Sequence, residues 1–171
     1  MKKSAQKIKL LLLDVDGVLT DGSIYLRPDG RELYVFNIYD GLGIKLWREA
    51  GFKIGLVTGR GGEALKMRAE SLGVDFLFEN VSDKLLVCEE LLKKENIEFS
   101  EVAFMGDDLQ DISSMKRSGF ALAPNNAREE VKKIADYVSD IEGGRGAVRD
   151  CIEFILKEKG IFDEIVRKFL S

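Results

Sequence analysis

Two carboxylates two residues apart, Asp14 and Asp16, follow the apolar run Leu10-Leu11-Leu12-Leu13 and lead into a turn at Gly17. Residues i and i+2 of an extended segment share a face, so both carboxylates point into one space. Two like charges held that close need a cation or a shared proton. Further along stand Thr58 in Thr58-Gly59-Arg60, Lys84, and the run Gly106-Asp107-Asp108-Leu109-Gln110-Asp111. Asp14 with Asp107 offers the hard oxygen ligands that Mg²⁺ takes. Asp107 and Asp111 are four apart at a helix start, which lets Asp111 hold a metal-bound water. Thr58 and the N–H groups opening the next helix suit phosphate oxygens, and Lys84 adds a point charge. A carboxylate nucleophile, a cation and a lysine are the parts of phosphoryl transfer. Each signal is weak alone. An Asp-x-Asp can simply start a turn and a lone lysine is usually solvated, so the argument rests on their joint occurrence. Asp108 stays open between helix N-cap and partner of the metal's waters.

What the chain lacks narrows the chemistry. Among its 171 residues there is no histidine, which removes Ser-His-Asp and Cys-His catalysis and most zinc sites. Its two cysteines, Cys88 and Cys151, lie far apart in apolar helical patterns and read as buried free thiols. A formal net charge of −4 argues against nucleic acid or an anionic membrane as partner. No apolar run is long enough for a membrane span and the basic start is not followed by a signal h-region, so a cytoplasmic protein is expected.

The elements that must position these residues read as alternating strands and helices. The expected strands are Leu10–Leu13, 53–57, 74–78, 101–105, 120–122 and 135–138. Helices are expected from Asp40 as cap to about Ala50, and over 62–72, from Ser82 as cap, 109–116, 127–134 and 147–157. That alternation predicts a single α/β domain over 1–171, a doubly wound parallel sheet with ligands at the strand carboxyl ends. A β-hairpin over 21–37, turning at Pro28-Asp29-Gly30, projects from strand one and carries more apolar residues than a lone ribbon can bury. The tail, 158–171, carries an apolar stripe of Ile161, Phe162, Ile165, Val166, Phe169 and Leu170, expected to pack on its own domain.

With these motifs in order, the sequence resembles the haloacid dehalogenase superfamily of phosphatases. Asp14-Val15-Asp16-Gly17-Val18-Leu19-Thr20 matches its first motif, Thr58-Gly59-Arg60 the second, Lys84 the third and Gly106 to Asp111 the fourth. The resemblance implies that Asp14 forms an aspartyl-phosphate and that Asp16 protonates the leaving alcohol and then activates water. It also implies Mg²⁺ held by Asp14, Asp107 and the Asp16 backbone carbonyl. Asp21-Gly22, the run Phe36 to Lys45, and Gly143-Gly144-Arg145-Gly146-Ala147-Val148-Arg149 further resemble the family of 3-deoxy-D-manno-octulosonate 8-phosphate phosphatases and their sialic-acid phosphatase relatives. By that likeness the substrate contacts fall on Asp16, Asn37, Ile38, Tyr39, Asp40, Gly41, Lys45, Gly59, Arg60, Arg68, Lys84 and Arg145. A sugar acid carries a carboxylate that Arg or Lys must pair. Lys45 stands where some relatives have arginine, a departure that matters at a bidentate contact.

The segments 21–57 and 59–83 are too short for a separate cap domain beside the elements placed there. A neighbouring subunit is therefore expected to close the site, and the resemblance implies a homotetramer. Three rival readings remain, the most serious a related phosphatase acting on a different sugar acid, such as sialic acid or deaminated neuraminic acid 9-phosphate, or on a nucleotide. Gly59-x-Gly61-x-x-Ala64 with Glu79 mimics a dinucleotide fingerprint, although it follows the second core strand rather than the first. A phospho-accepting signalling domain shares the sheet and the acidic pocket but not the Asp-x-Asp-Gly of strand one.

Overall fold

The computed structural model describes residues 5–168. At its centre is β1 (Leu10–Leu13), which pairs in parallel with β4 (Lys53–Val57) on one side and β6 (Val102–Met105) on the other. All four β1 leucines are buried, as expected of a strand covered on both faces. The remaining sheet strands are β5 (Phe76–Phe78), β7 (Phe120–Ala123) and β8 (Tyr137–Val138), giving the parallel order β5-β4-β1-β6-β7-β8. After β1 the chain winds outward through β4 and β5, then returns to β6 and winds the other way. The strand order therefore reverses beside β1, and the crevice at such a reversal is where open α/β sheets bind ligands.

Among the described residues there are seven α-helices, five between strands and two after the last strand. Alternate β1 residues feed opposite cores: Leu11 and Leu13 pack with α1 (Ile38–Glu49), α2 (Glu63–Leu72) and α6 (Ala147–Glu158), while Leu10 and Leu12 pack with α3 (Lys84–Glu95) and α4 (Ile112–Arg117). The short α5 (Glu129–Lys132) joins the second core through Val131. Helix α6 shows how the sequence dictates this packing. Ala147, Val148, Cys151, Ile152, Ile155 and Leu156 recur at helical spacing and form one buried stripe, each large aliphatic contributing about 1.5–3 kcal/mol. The last helix, α7 (Phe162–Arg167), buries Ile165 in the first core, so the tail packs on its own domain over this stretch. Phe169 and Leu170 of the expected stripe, and the basic start Met1 to Ser4, lie outside the described residues.

Several boundaries differ from expectation. Helix α1 begins earlier, capped by Asn37, whose side chain accepts from the Tyr39 N–H at 2.8 Å. Asp40 had the right residue type for that cap, but its carboxylate is committed to α6. Asp83, not Ser82, caps α3 by accepting from Leu86 N at 3.1 Å. The helix expected at 109–116 opens as a 3₁₀ turn over Leu109–Asp111 before α4 begins. The hairpin strands are short, β2 (Tyr25–Leu26) against β3 (Glu32–Leu33).

Candidate active site

The carboxyl ends of β1, β4 and β6, together with the start of α3, bring the charged residues together. Lys84, first residue of α3, is buried and reaches both Asp14 Oδ1 at 2.8 Å and Asp111 Oδ1 at 2.7 Å. Burial alone would push the ammonium toward neutrality, but the two carboxylates overcome it and hold Lys84 above the usual lysine range. Asp111 Oδ2 accepts from the backbone N–H groups of Asp107 at 3.0 Å and Asp108 at 3.2 Å. Both Asp111 oxygens are thus engaged. Asp111 shapes the loop that presents Asp107 rather than standing open to a ligand. The Asp108 side chain accepts from Leu109 N at 2.7 Å, the N-cap role left open by the sequence.

Carboxylate oxygens of Asp14, Asp107 and Asp111 lie within 4.8 Å of one another. Asp14 Oδ2 is buried and has no hydrogen-bond partner among the described residues. Burial, then the neighbouring Asp111 charge, pushes the Asp14 carboxyl up to about 6 against the pull of Lys84. Asp107 is pushed up to about 7 by burial and then by Asp14, Asp111 and Asp108. Carboxylates so crowded and dehydrated are stabilised by a cation, and an all-oxygen donor set suits Mg²⁺ rather than a softer metal. With Asp111 engaged elsewhere, Asp14 and Asp107 carry the side-chain oxygens that would hold it.

The turn after β1 fits around Asp107. Gly17 has φ +83°, and a Cβ built there would lie 2.0 Å from Asp107 Oδ2, so this position requires glycine on both counts. Asn126, in the loop after β7, donates to Gly17 O at 3.0 Å and accepts from Gly143 N at 2.6 Å. The Gly143 to Arg149 loop is further tied down by Gly144 N donating to Val18 O at 3.0 Å and Asn37 Nδ2 donating to Gly144 O at 3.3 Å.

Asp16 is half-buried beside this cluster, and burial raises its carboxyl against the pull of Arg60. Arg60 places Nε 3.7 Å from Asp16 Oδ2 and NH2 2.5 Å from Glu32 Oε2. Thr58 is buried just past β4 and its hydroxyl accepts from Arg60 N at 3.2 Å. Gly59 is exposed between them. Arg145 lies at the rim, 3.6 Å from Asp21 Oδ2.

Other residues expected to contact substrate are placed differently. Asp40 is only 1% exposed and accepts from Arg149 N at 3.1 Å in the first turn of α6, a helix whose own cap position is Gly146. It serves as a cap supplied from another helix, and burial pushes its carboxyl up to about 6. Its other oxygen, Oδ2, is buried with no hydrogen-bond partner among the described residues. Lys45 is exposed beside Arg48 and the end of α2. Arg68 donates to Asn37 O at 3.2 Å and packs where Gly41 leaves room for its guanidinium. Ile38 and Tyr39 are solvent-exposed on α1. Glu79 accepts from Gly62 N at 2.7 Å, which spends the carboxylate that the dinucleotide reading needed.

Sequence reasoning missed Asn126, Glu32 and Tyr34. A signal existed for the last two: Glu32, Tyr34 and Phe36 alternate, which places them on one face of the hairpin, toward Arg60 and Asp16. Leu33 and Val35 on the other face are 52% and 57% exposed.

The haloacid dehalogenase-like hydrolase family matches residues 74–148. The 3-deoxy-D-manno-octulosonate 8-phosphate phosphatase of Escherichia coli is 41% identical over 160 residues, covering 94% of this chain and 85% of that protein. The chain belongs to this haloacid dehalogenase-like phosphatase family. Among solved structures, the family enzyme of Moraxella catarrhalis, in complex with magnesium, phosphate and KDO, superimposes with a TM-score of 0.94 at 37% identity, covering 96% of this chain and 95% of that one. The cobalt-bound family enzyme of Haemophilus influenzae superimposes with a TM-score of 0.91 at 32% identity, over 98% of this chain and 99% of that one. As expected for the family, the fold is a parallel α/β sheet with helices on both faces.

Proposed function

We propose that the chain is a Mg²⁺-dependent phosphatase that hydrolyses 3-deoxy-D-manno-octulosonate 8-phosphate to the free sugar acid and inorganic phosphate. The observation that carries this reading is Asp14: a buried carboxylate with one oxygen held by Lys84 and the other unpartnered beside Asp107. Asp14 attacks phosphorus and the bond to the sugar oxygen breaks, forming an aspartyl-phosphate. Asp16, whose carboxyl burial favours the protonated form, gives its proton to the leaving alkoxide. It then takes a proton from the water that hydrolyses the acyl-phosphate, which restores Asp14 and releases phosphate. Lys84 keeps Asp14 oriented and adds positive charge next to the transferring group. Bound at Asp14 and Asp107, Mg²⁺ would offset the negative charge of the phosphate oxygens. Thr58 and Arg60 present donors from the end of β4, with Arg60 and Arg145 available to a sugar carboxylate.

The same reading extends to assembly and location. The outer hairpin face, with Tyr25 46%, Leu33 52% and Val35 57% exposed, suits burial against further copies of the chain, in keeping with a homotetramer that closes each site. A phosphorylated sugar acid does not cross membranes unaided, so a cytoplasmic enzyme supplying a lipopolysaccharide precursor is consistent with it. Among the described residues no helix is long and apolar enough to cross a membrane.

The test is phosphate release with Mg²⁺ across 3-deoxy-D-manno-octulosonate 8-phosphate, the 9-phosphates of sialic and deaminated neuraminic acids, and small esters, with Asp14→Asn as control. A strong preference for the first, lost in Asp14→Asn, is expected. A preference for a 9-phosphate would reassign the sugar, and absence of Mg²⁺-dependent release would overturn the phosphatase.

A further inference from the structure

Whatever alcohol leaves the phosphate does so at Asp16, so the side chains around Asp16 face the sugar rather than the phosphoryl group. Those side chains are Arg60, Glu32 and Tyr34, which line one recess with Asp16 in front of the acidic cluster. Two donors in this recess have no acceptor among the described residues: Arg60 Nε and the hydroxyl hydrogen of Tyr34, whose oxygen stands beside the Arg60 guanidinium. Buried polar groups are normally paired, and an unpaired one beside a reacting carboxyl marks a place where a ligand completes the bond. The Tyr34 ring is held in place before any ligand arrives. It stacks on Phe36 with centroids 5.6 Å apart and planes within 9°, and Phe36 lies under Arg68 at 5.7 Å. Arg60 is oriented likewise by Glu32, at 2.5 Å. The recess therefore offers two fixed donors, Tyr34 and Arg60, and two fixed acceptors, Asp16 and Glu32. Its carboxylates repel a phosphate, whereas alternating donors and acceptors suit the hydroxyls of a polyhydroxylated leaving group.

We propose that the Tyr34 hydroxyl is a specificity contact, hydrogen-bonding a sugar oxygen of the leaving group beside Asp16. The proposal rests on the assignment of Asp16 as the acid toward the leaving oxygen. It places substrate recognition on the chain's own hairpin, separate from any contribution of a neighbouring copy.

Tyr34→Phe keeps the ring and its stacking and removes only the hydroxyl. We expect kcat/KM for the preferred sugar acid phosphate to fall about five- to tenfold, the loss typical of one neutral hydrogen bond. For p-nitrophenyl phosphate, whose leaving group has no hydroxyl for Tyr34 to meet, kcat/KM stays unchanged. Binding of the free sugar acid, measured by calorimetry, weakens by the same factor. Equal losses on both esters, or no loss on either, would overturn the proposal while leaving the phosphatase reading intact. A wild-type protein that turns over p-nitrophenyl phosphate but no sugar phosphate would instead overturn the sugar-acid reading, and this proposal with it.

Discussion

Gly17→Ala tests the construction of the metal site without touching a single charged group. The added Cβ would sit 2.0 Å from Asp107 Oδ2 and 2.6 Å from its Cγ, so the carboxylate must retreat by more than about 1 Å to reach ordinary contact. The backbone at φ +83° adds about 1–2 kcal/mol of strain for an alanine. In a chain of this size that strain lowers Tm by about 2–8 °C, leaving a folded protein. Asp107, displaced, no longer faces Asp14, and Mg²⁺ affinity should fall about 10- to 100-fold. At saturating Mg²⁺ a tenfold loss removes about 1.4 kcal/mol of ligand-induced stabilisation. The assay is thermal unfolding of wild type and variant across a Mg²⁺ titration, with phosphate release in parallel. If Gly17→Ala is stabilised by Mg²⁺ at the same concentrations as wild type, Asp107 is not the ligand held against this turn, and the reasoning fails.

Asp40 makes folding stability depend on pH in a definite direction. Its carboxyl is near 3.8 when unfolded and about 6 when folded, so the native state binds more protons between those values. Stability therefore falls as pH rises from about 4 to 6, by about 3 kcal/mol, and is flat with respect to this group above that window. Asp40→Asn should remove that slope in the difference between the two proteins' denaturant midpoints at pH 4 and pH 7; an unchanged difference would show that Asp40 is not buried against α6. On the outer hairpin face, Leu33→Glu should dissociate the assembly in analytical ultracentrifugation while leaving the thermal midpoint of the fold within a few degrees. A wild-type protein that sediments as a fully active monomer would end the tetramer reading.

How much of this was legible in the sequence depends on the distance over which each choice is made. The four-leucine run of β1 and the glycine after it declared a buried strand and a turn locally. The 3.6-residue period of α6 declared its buried face in the same way. Helix caps were harder, because Asn37 and Asp40 both have capping side chains and only the arrival of α6, 109 residues later, decides between them. Asp111 shows the same limit. Its spacing from Asp107 suggested a water-holding carboxylate, and did not show that the 3₁₀ turn and the reach of Lys84 from α3 would also engage both its oxygens. The hairpin's turn residues were plain, yet which face meets the chemistry follows from where Arg60 lands after β4. Asn126 carried no signal in its own neighbourhood, since its partners, Gly17 and Gly143, come from two other loops.

The hairpin meets the hydrolytic machinery through Glu32 and Tyr34 at Arg60 and Asp16, while Asp14, Lys84, Asp107 and Asp111 are fastened to one another behind it. Recognition and bond cleavage are therefore encoded in separable stretches of chain. On the proposed reading, substitutions within 23–36 change what is admitted and reach Asp16 only through Glu32 and Arg60, leaving Asp14, Lys84, Asp107 and Asp111 as they are. In descent from a common ancestor, such a division lets paralogues acquire new substrates by drift in one ribbon while purifying selection keeps the reactive centre constant.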